Sequence, residues 1–137
     1  MSYPLTHIEG LDVEEVKSLK ALGIRTTERL LEEAKSPRGR KLLADRTGIG
    51  ERQLLMAANA ADHLRIKGMG PGYVSLLREA GVDTVRELRY RKPENLVSAM
   101  VEANKKRKMV RLLPSQRLVE RWIENAKKLQ LKITYKK

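Results

Sequence analysis

The stretch IKGMGPGYV, residues 66–74, sets three glycines and a proline within five positions, between two runs of helical periodicity. Glycine reaches positive φ without steric cost and has no Cβ, so the chain turns sharply here and its amides can be approached closely. Pro71 suits the first position of the following helix, where the N–H it lacks would have no intrahelical partner. Whether these glycines serve the turn alone or also admit a group from outside bears on both fold and function.

Working outward, the stretch has a counterpart earlier in the chain. An offset of 58 places Ile8, Gly10, Val16, Leu19, Gly23, Thr26 and Leu30 on Ile66, Gly68, Val74, Leu77, Gly81, Thr84 and Leu88. These are seven identities in 23 columns, where average composition gives about one or two. The chain therefore reads as an internal repeat.

Each copy reads as short helices joined by tight turns. In the first, Asp12 with Glu15 forms a capping-box start, Val16, Leu19 and Leu22 share a helical face, and Gly23 stops the helix. Thr26 or Thr27 opens a second helix, and Ser36-Pro37 opens a third with an N-cap followed by proline. After the break at Thr47 to Gly50, a fourth carries Leu54, Leu55, Ala58, Ala61 and Leu64. In the second copy Pro71, Thr84 with Glu87, Pro93 and Ser115 mark the corresponding starts. The expected fold is all-α, with two units of four short helices at 1–64 and 65–129, and a tail at 130–137. In that tail LKITY alternates apolar and polar residues, which fits a short strand or an extended segment docked on the surface.

Composition narrows the function. Lys plus Arg is 29 against 17 for Asp plus Glu, net +12, the balance of a polyanion binder. Residues 1–64 hold 10 basic and 10 acidic side chains, and residues 65–137 hold 19 and 7, so the whole excess lies in the second half. With no cysteine there are no disulfides and no thiol chemistry. The N-terminus lacks a signal-peptide pattern, and no apolar run approaches the roughly 20 residues of a membrane span. The expectation is a soluble cytoplasmic protein, associated with the nucleoid if it binds DNA.

Ile66-Lys67-Gly68-Met69-Gly70, between two helices, resembles the turn of the helix-hairpin-helix motif, matching its pattern of hydrophobic, any residue, Gly, hydrophobic, Gly. The run from Ile8 to Leu64 is similar to the double helix-hairpin-helix domain of recombinase N-termini, and the chain from about 5 to 129 resembles two such units in tandem. That resemblance implies sequence-independent binding to the backbone of duplex DNA. Elementary electrostatics agrees, because the first N–H groups of a helix lack intrahelical partners and sit at the positive end of its dipole.

The four candidate turns differ. Gly68-Met69-Gly70, with Arg65, Lys67, Gly72 and Arg78 around it, is the strongest phosphate site. Gly48-Ile49-Gly50 with Arg52 is weaker, since Arg46 stands at the hydrophobic position and Glu51 adds a carboxylate. Gly10-Leu11-Asp12 has an acid for its second glycine, and Leu112-Leu113-Pro114-Ser115 has no glycine. The run Lys105, Lys106, Arg107, Lys108, extended by Arg111, precedes this last turn and is expected to contact the same backbone.

Trp122 reads as core rather than as a stacking platform, and His7 and His63 have no partner at metal or triad spacing. The chain has no Phe, one Trp and four Tyr, too few rings for a single-strand binder that stacks bases; Tyr90 within LRYRK is the exception. Nucleotide-loop, nucleophile-elbow and zinc-protease motifs are absent. The sequence thus reads as a non-enzymatic double-stranded DNA binder, with no cofactor, no metal and no small-molecule substrate. The neutral first unit is assigned to a protein partner or to dimerisation. The alternative is that both units are protein-interaction modules, or an RNA-binding adaptor, whose basic half meets an acidic surface or RNA.

Overall fold

The structure, a computed structural model, describes residues 2–135. A 3-10 turn at Leu5–His7 precedes eight helices among these residues: α1 (Val13–Ala21), α2 (Thr27–Ala34), α3 (Pro37–Thr47), α4 (Glu51–His63), α5 (Pro71–Glu79), α6 (Val85–Arg89), α7 (Pro93–Lys106) and α8 (Gln116–Lys128). The fold is all-α. Within the described residues the only β feature is an isolated bridge between Pro4 and Thr26.

Local chemistry explains most of the helix starts. Asp12 Oδ1 accepts from the Glu15 amide at 2.8 Å while Glu15 Oε1 accepts from the Asp12 amide at 2.9 Å, completing the capping box of α1. Thr26, Ser36, Thr84 and Ser115 each accept from the amide three residues on, at the starts of α2, α3, α6 and α8. Helix α1 stops at Ala21, so Leu22, expected on its apolar face, is the C-cap and is exposed.

Helices α2, α3 and α4 pack on one another and α1 meets α3, while α6 and α7 lie against α8 and α5 meets α7; the contact between α2 and α3 has no counterpart of like extent between α6 and α7. Helix α4 also touches α5 and α6. The apolar core therefore runs without interruption across the expected division at 64/65, from Leu5, Leu19 and Leu30 to Leu77, Leu88 and Trp122. Each of these fully buried side chains contributes about 1.5–3 kcal/mol relative to exposure, and truncating Trp122 to Ala costs about 3–5 kcal/mol.

The C-terminal part of α4 is enclosed on every side. Ala57, Ala58, Ala60 and Ala61 let neighbours come close, but Asn59, Asp62 and His63 are buried with them. Buried polar groups need partners. Asp62 is met by Arg65, whose Nε lies 2.8 Å from Oδ1 and whose guanidinium also donates to the Gln130 carbonyl at 3.0 Å. Burial nonetheless pushes the Asp62 carboxyl above its usual range, with Arg65 opposing.

The LKITY segment forms neither helix nor strand. The Thr134 amide donates to the Lys35 carbonyl at 2.8 Å, and Arg40, which is buried, donates to the Thr134 carbonyl at 2.7 Å and the Ala34 carbonyl at 2.9 Å. A C-terminal segment thus closes over helices of the first half.

Candidate nucleic-acid interface

The hairpin between α4 and α5 is held from within by its two apolar members. Ile66 and Met69 are both buried, and the Met69 amide donates to the Ile66 carbonyl at 3.2 Å. Between them Gly68 takes φ +86°, a conformation that favours glycine, and is exposed together with Lys67. Gly70 then stands as the N-cap of α5 with no side chain to offer the helix amides, and Pro71 follows at the first helical position.

This open helix end is not general. Asp12 and Ser115 close α1 and α8 with their own oxygens. Among the described residues the two Gly-hydrophobic-Gly turns start helices α4 and α5 on a glycine N-cap with no side-chain acceptor; α7, which starts on Lys92, also lacks one. At Gly48, Ile49 and Gly50 the same design recurs, with Gly48 at φ +79° and Ile49 buried. Gln53 on the first turn of α4 donates to the Gly10 carbonyl at 2.7 Å and to Glu15 Oε1 at 2.8 Å, so the two hairpins of the first half sit side by side. Their surroundings include Asp12, Glu15 and Glu51, a setting that disfavours phosphate.

In the second half the corresponding neighbours are cations. A Cβ added at Gly72 would lie 3.4 Å from Val110 Cγ1, so the segment after α7 is in contact with the start of α5. Tyr73 ties the same segment by donating from its hydroxyl to the Leu112 carbonyl at 3.0 Å, and its ring packs on Trp122 with centroids 5.1 Å apart. Asn104 shapes the bend, its Oδ1 accepting from the amides of Met109 at 2.8 Å and Val110 at 3.2 Å. The glycine hairpin and the Lys105–Arg111 run, some 40 residues apart in sequence, are thereby brought onto one surface.

Within that run the side chains divide. Lys106, Lys108 and Arg111, with Lys67 from the hairpin, are exposed, and no carboxylate among the described residues pairs with them. Lys105 meets Glu102 at 3.3 Å. Arg107 meets Glu9 at 3.0 Å and Glu79 at 3.5 Å, linking the two halves of the chain.

Two expected members lie elsewhere. Arg65 turns inward to Asp62 and the Gln130 carbonyl, because the buried carboxylate demands a cation. Arg78 is at the far end of α5, about 10 Å along the axis from Pro71 at 1.5 Å per residue. It lines a cavity instead, together with Arg52 from the weaker turn. At Gly72 a Cβ would make only ordinary contact with Val110, so packing does not hold that position to glycine. The exposed Tyr90 stands apart at the C-terminus of α6, beside Arg89, Arg91 and Lys127.

Sequence reasoning missed Asn104, which shapes the basic bend, and Tyr73 as its tether; no local pattern announces either. No helix among the described residues is long and apolar enough to cross a membrane, and no group of His, Asp or Glu there is arranged to hold a metal. A family model described as a domain of unknown function (DUF4332) matches residues 9–129. No curated protein and no solved structure matches.

Proposed function

The chain belongs to the DUF4332 family, whose description carries no activity, and we propose that it is a non-enzymatic protein that binds the backbone of double-stranded DNA without reading sequence. On this reading the turns are helix-hairpin-helix elements, and the working one is that of Gly68 and Gly70. The observation that carries the proposal is the meeting of an uncapped helix start at Gly70 with the Lys105–Arg111 bend, through Gly72, Val110 and Tyr73. A helix N-terminus attracts an anion, and the unpaired cations of Lys67, Lys106, Lys108 and Arg111 extend that attraction along a backbone.

Counterion release gives the test. If Lys67, Lys105, Lys106, Arg107, Lys108 and Arg111 each neutralise one phosphate, affinity for a short duplex falls roughly a thousandfold between 50 and 200 mM salt, with little dependence on sequence. Fluorescence anisotropy on two unrelated duplexes measures this. No binding at 50 mM salt overturns the proposal.

A second reading has one observation in its favour. Leu112 is 76% exposed and Leu113 lies beside it, inside the basic bend, and exposed apolar groups there suit an acidic protein with an apolar anchor. Pull-down with and without nuclease separates the two: partners lost on nuclease treatment support DNA, and partners that persist support protein.

A further inference from the structure

The apolar side chains of the bend after α7 divide in two. Met109 and Val110 pack against the core and Pro114 is buried, while Leu112, between Val110 and Pro114, is 76% exposed. A single exposed leucine is ordinary on a protein surface. This one is set apart by how its backbone is held. Asn104 Oδ1 accepts from the Met109 and Val110 amides, and Asn104 Nδ2 donates to the Val110 carbonyl at 3.2 Å. The Leu112 carbonyl itself accepts from the Tyr73 hydroxyl at 3.0 Å, and the Tyr73 ring rests on the fully buried Trp122. Ser115 fixes the far end by capping α8, accepting from the Leu118 amide at 3.1 Å. The segment is thus anchored on both sides of a side chain that it offers to the outside.

The setting of that side chain is cationic. Arg111 directly precedes it, Lys108 lies in the same bend and Lys106 ends α7, and none of the three meets a carboxylate among the described residues. An apolar group among free cations suits a partner that is anionic around an apolar gap. Double-stranded DNA has this form at a base step, where stacked base faces lie between two rows of phosphates and an apolar side chain can part them. An anionic membrane calls instead for a broad apolar face, and beside Leu112 the bend shows only Leu113, 37% exposed. The contact of Val110 with Gly72 sets the bend against the uncapped start of α5, so one surface suited to phosphate runs up to Leu112, which favours DNA over an acidic protein.

We propose that Leu112 is a wedge: as Lys106, Lys108 and Arg111 grip the backbone, its side chain enters the stack between two base pairs, and the chain prefers a duplex with a weakly stacked step, such as one at a mismatched pair. The inference rests on the DNA reading above and adds to it a selectivity for structure that phosphate contacts alone do not supply. Parting a step costs stacking free energy, and a mismatch has lost part of it in advance. A side chain whose backbone is already fixed gives up little freedom on insertion. What is selected is deformability rather than base identity.

The test uses the full chain and two short duplexes that differ by one central dC·dC mismatch, so that both carry the same phosphates. Each holds 2-aminopurine next to the centre, whose fluorescence rises when it unstacks. At low salt the mismatched duplex is expected to bind on the order of tenfold more tightly, with a rise in fluorescence. Leu112→Ala, at so exposed a position, should fold; it should bring the affinity for the mismatched duplex down to that for the matched one and remove the rise, whereas Leu112→Phe should keep both. Lys108→Ala should weaken the two duplexes alike. Equal affinity of the unsubstituted protein for the two duplexes, or a preference that survives in Leu112→Ala, overturns the wedge and leaves the DNA reading standing. Binding to neither duplex overturns both. A nuclease-resistant partner lost from pull-downs of Leu112→Ala, with duplex binding unchanged, also overturns the wedge and assigns the side chain to an acidic protein.

Discussion

Asp12 and Gly70 hold the same position before equivalent helices, and they close it in opposite ways. The Asp12 carboxylate accepts from the Glu15 amide, whereas Gly70 leaves the start of α5 without a side-chain acceptor. Asp12 thus supplies within the chain the anion that a phosphate would supply from outside. Gly70→Asp should therefore close α5 as α1 is closed. Thermal stability is expected to hold or rise slightly, since Asp and Gly differ by a few tenths of a kcal/mol or more as N-caps. Duplex affinity at 50 mM salt should drop about tenfold from repulsion at the helix end. A folded variant of unchanged affinity would remove this hairpin from the mechanism.

Alanine substitutions at the two glycines separate shape from contact. Gly70 has φ −93° and a Cβ there meets nothing within 4 Å, so Gly70→Ala should leave the melting temperature nearly unchanged while impeding close approach of a phosphate. Gly68 has φ +86°, where a Cβ costs about 1–2 kcal/mol, so Gly68→Ala should lower stability first. Parallel melting and anisotropy curves check both. Similar stability losses in the two variants would contradict the turn geometry.

The cations of the basic bend should differ in what they affect. Lys106 and Lys108 have no carboxylate partners among the described residues, and replacing both by Ala should reduce the slope of log affinity against log salt by about 1.8, at 0.9 per phosphate. Stability should barely change. Arg107→Ala also breaks contacts to Glu9 and Glu79, but these are exposed pairs, so the cost to folding should be about 0–1 kcal/mol. An unaltered salt slope in the Lys106/Lys108 double variant would place the DNA elsewhere.

Arg65 stands beside the hairpin in sequence but serves the interior. Arg65→Ala leaves the buried Asp62 carboxylate without its cation, a loss of about 3 kcal/mol. Because Asp62 is already held above its usual pKa by burial, the variant should recover part of this loss at lower pH, where Asp62 is protonated. Denaturant unfolding at two pH values measures it. The salt slope of duplex binding should stay as it was; a slope lowered by about 0.9 would make Arg65 a phosphate contact after all.

What the chain discloses in advance is mostly local. The caps at Asp12, Ser36 and Ser115 and the stop at Gly23 depend on neighbours within a turn, so they are legible in the sequence, as is the burial of Trp122 from its helical spacing. The 58-residue offset of the repeat likewise carries α1 onto α5. What could not be read depends on contacts between distant segments. Arg40 looks like any surface cation until Thr134 arrives from the C-terminal segment to accept from it. Arg65 and Arg78 share the hairpin's neighbourhood in sequence, yet helix phase turns one toward Asp62 and axial distance carries the other to the cavity. Conversely, the meeting of Gly72 with Val110 joins two motifs whose separation in sequence concealed that they share a surface.

His63 makes the clearest pH prediction. Its pKa in the folded chain is about 4, below the ordinary value near 6.5, because the charged ring would be buried. Between these values the unfolded chain binds more protons than the folded one, so folding stability rises with pH across that window and falls on acidification. The contribution is present in full above about 6.5, declines by about 1.4 kcal/mol per pH unit, and has lost roughly 3 kcal/mol by pH 4. Carboxylates elsewhere also titrate in the lower part of this range, so the comparison that isolates His63 is with His63→Leu, which cannot take up a proton. Asp83 and Arg78, which act on the ring from the cavity wall, are common to both proteins. Urea unfolding of the two at pH 7, 6, 5 and 4 should give curves that diverge from pH 6.5 downward, with the variant losing less. Parallel curves would mean that the ring takes up its proton without being exposed, and would remove the depressed pKa.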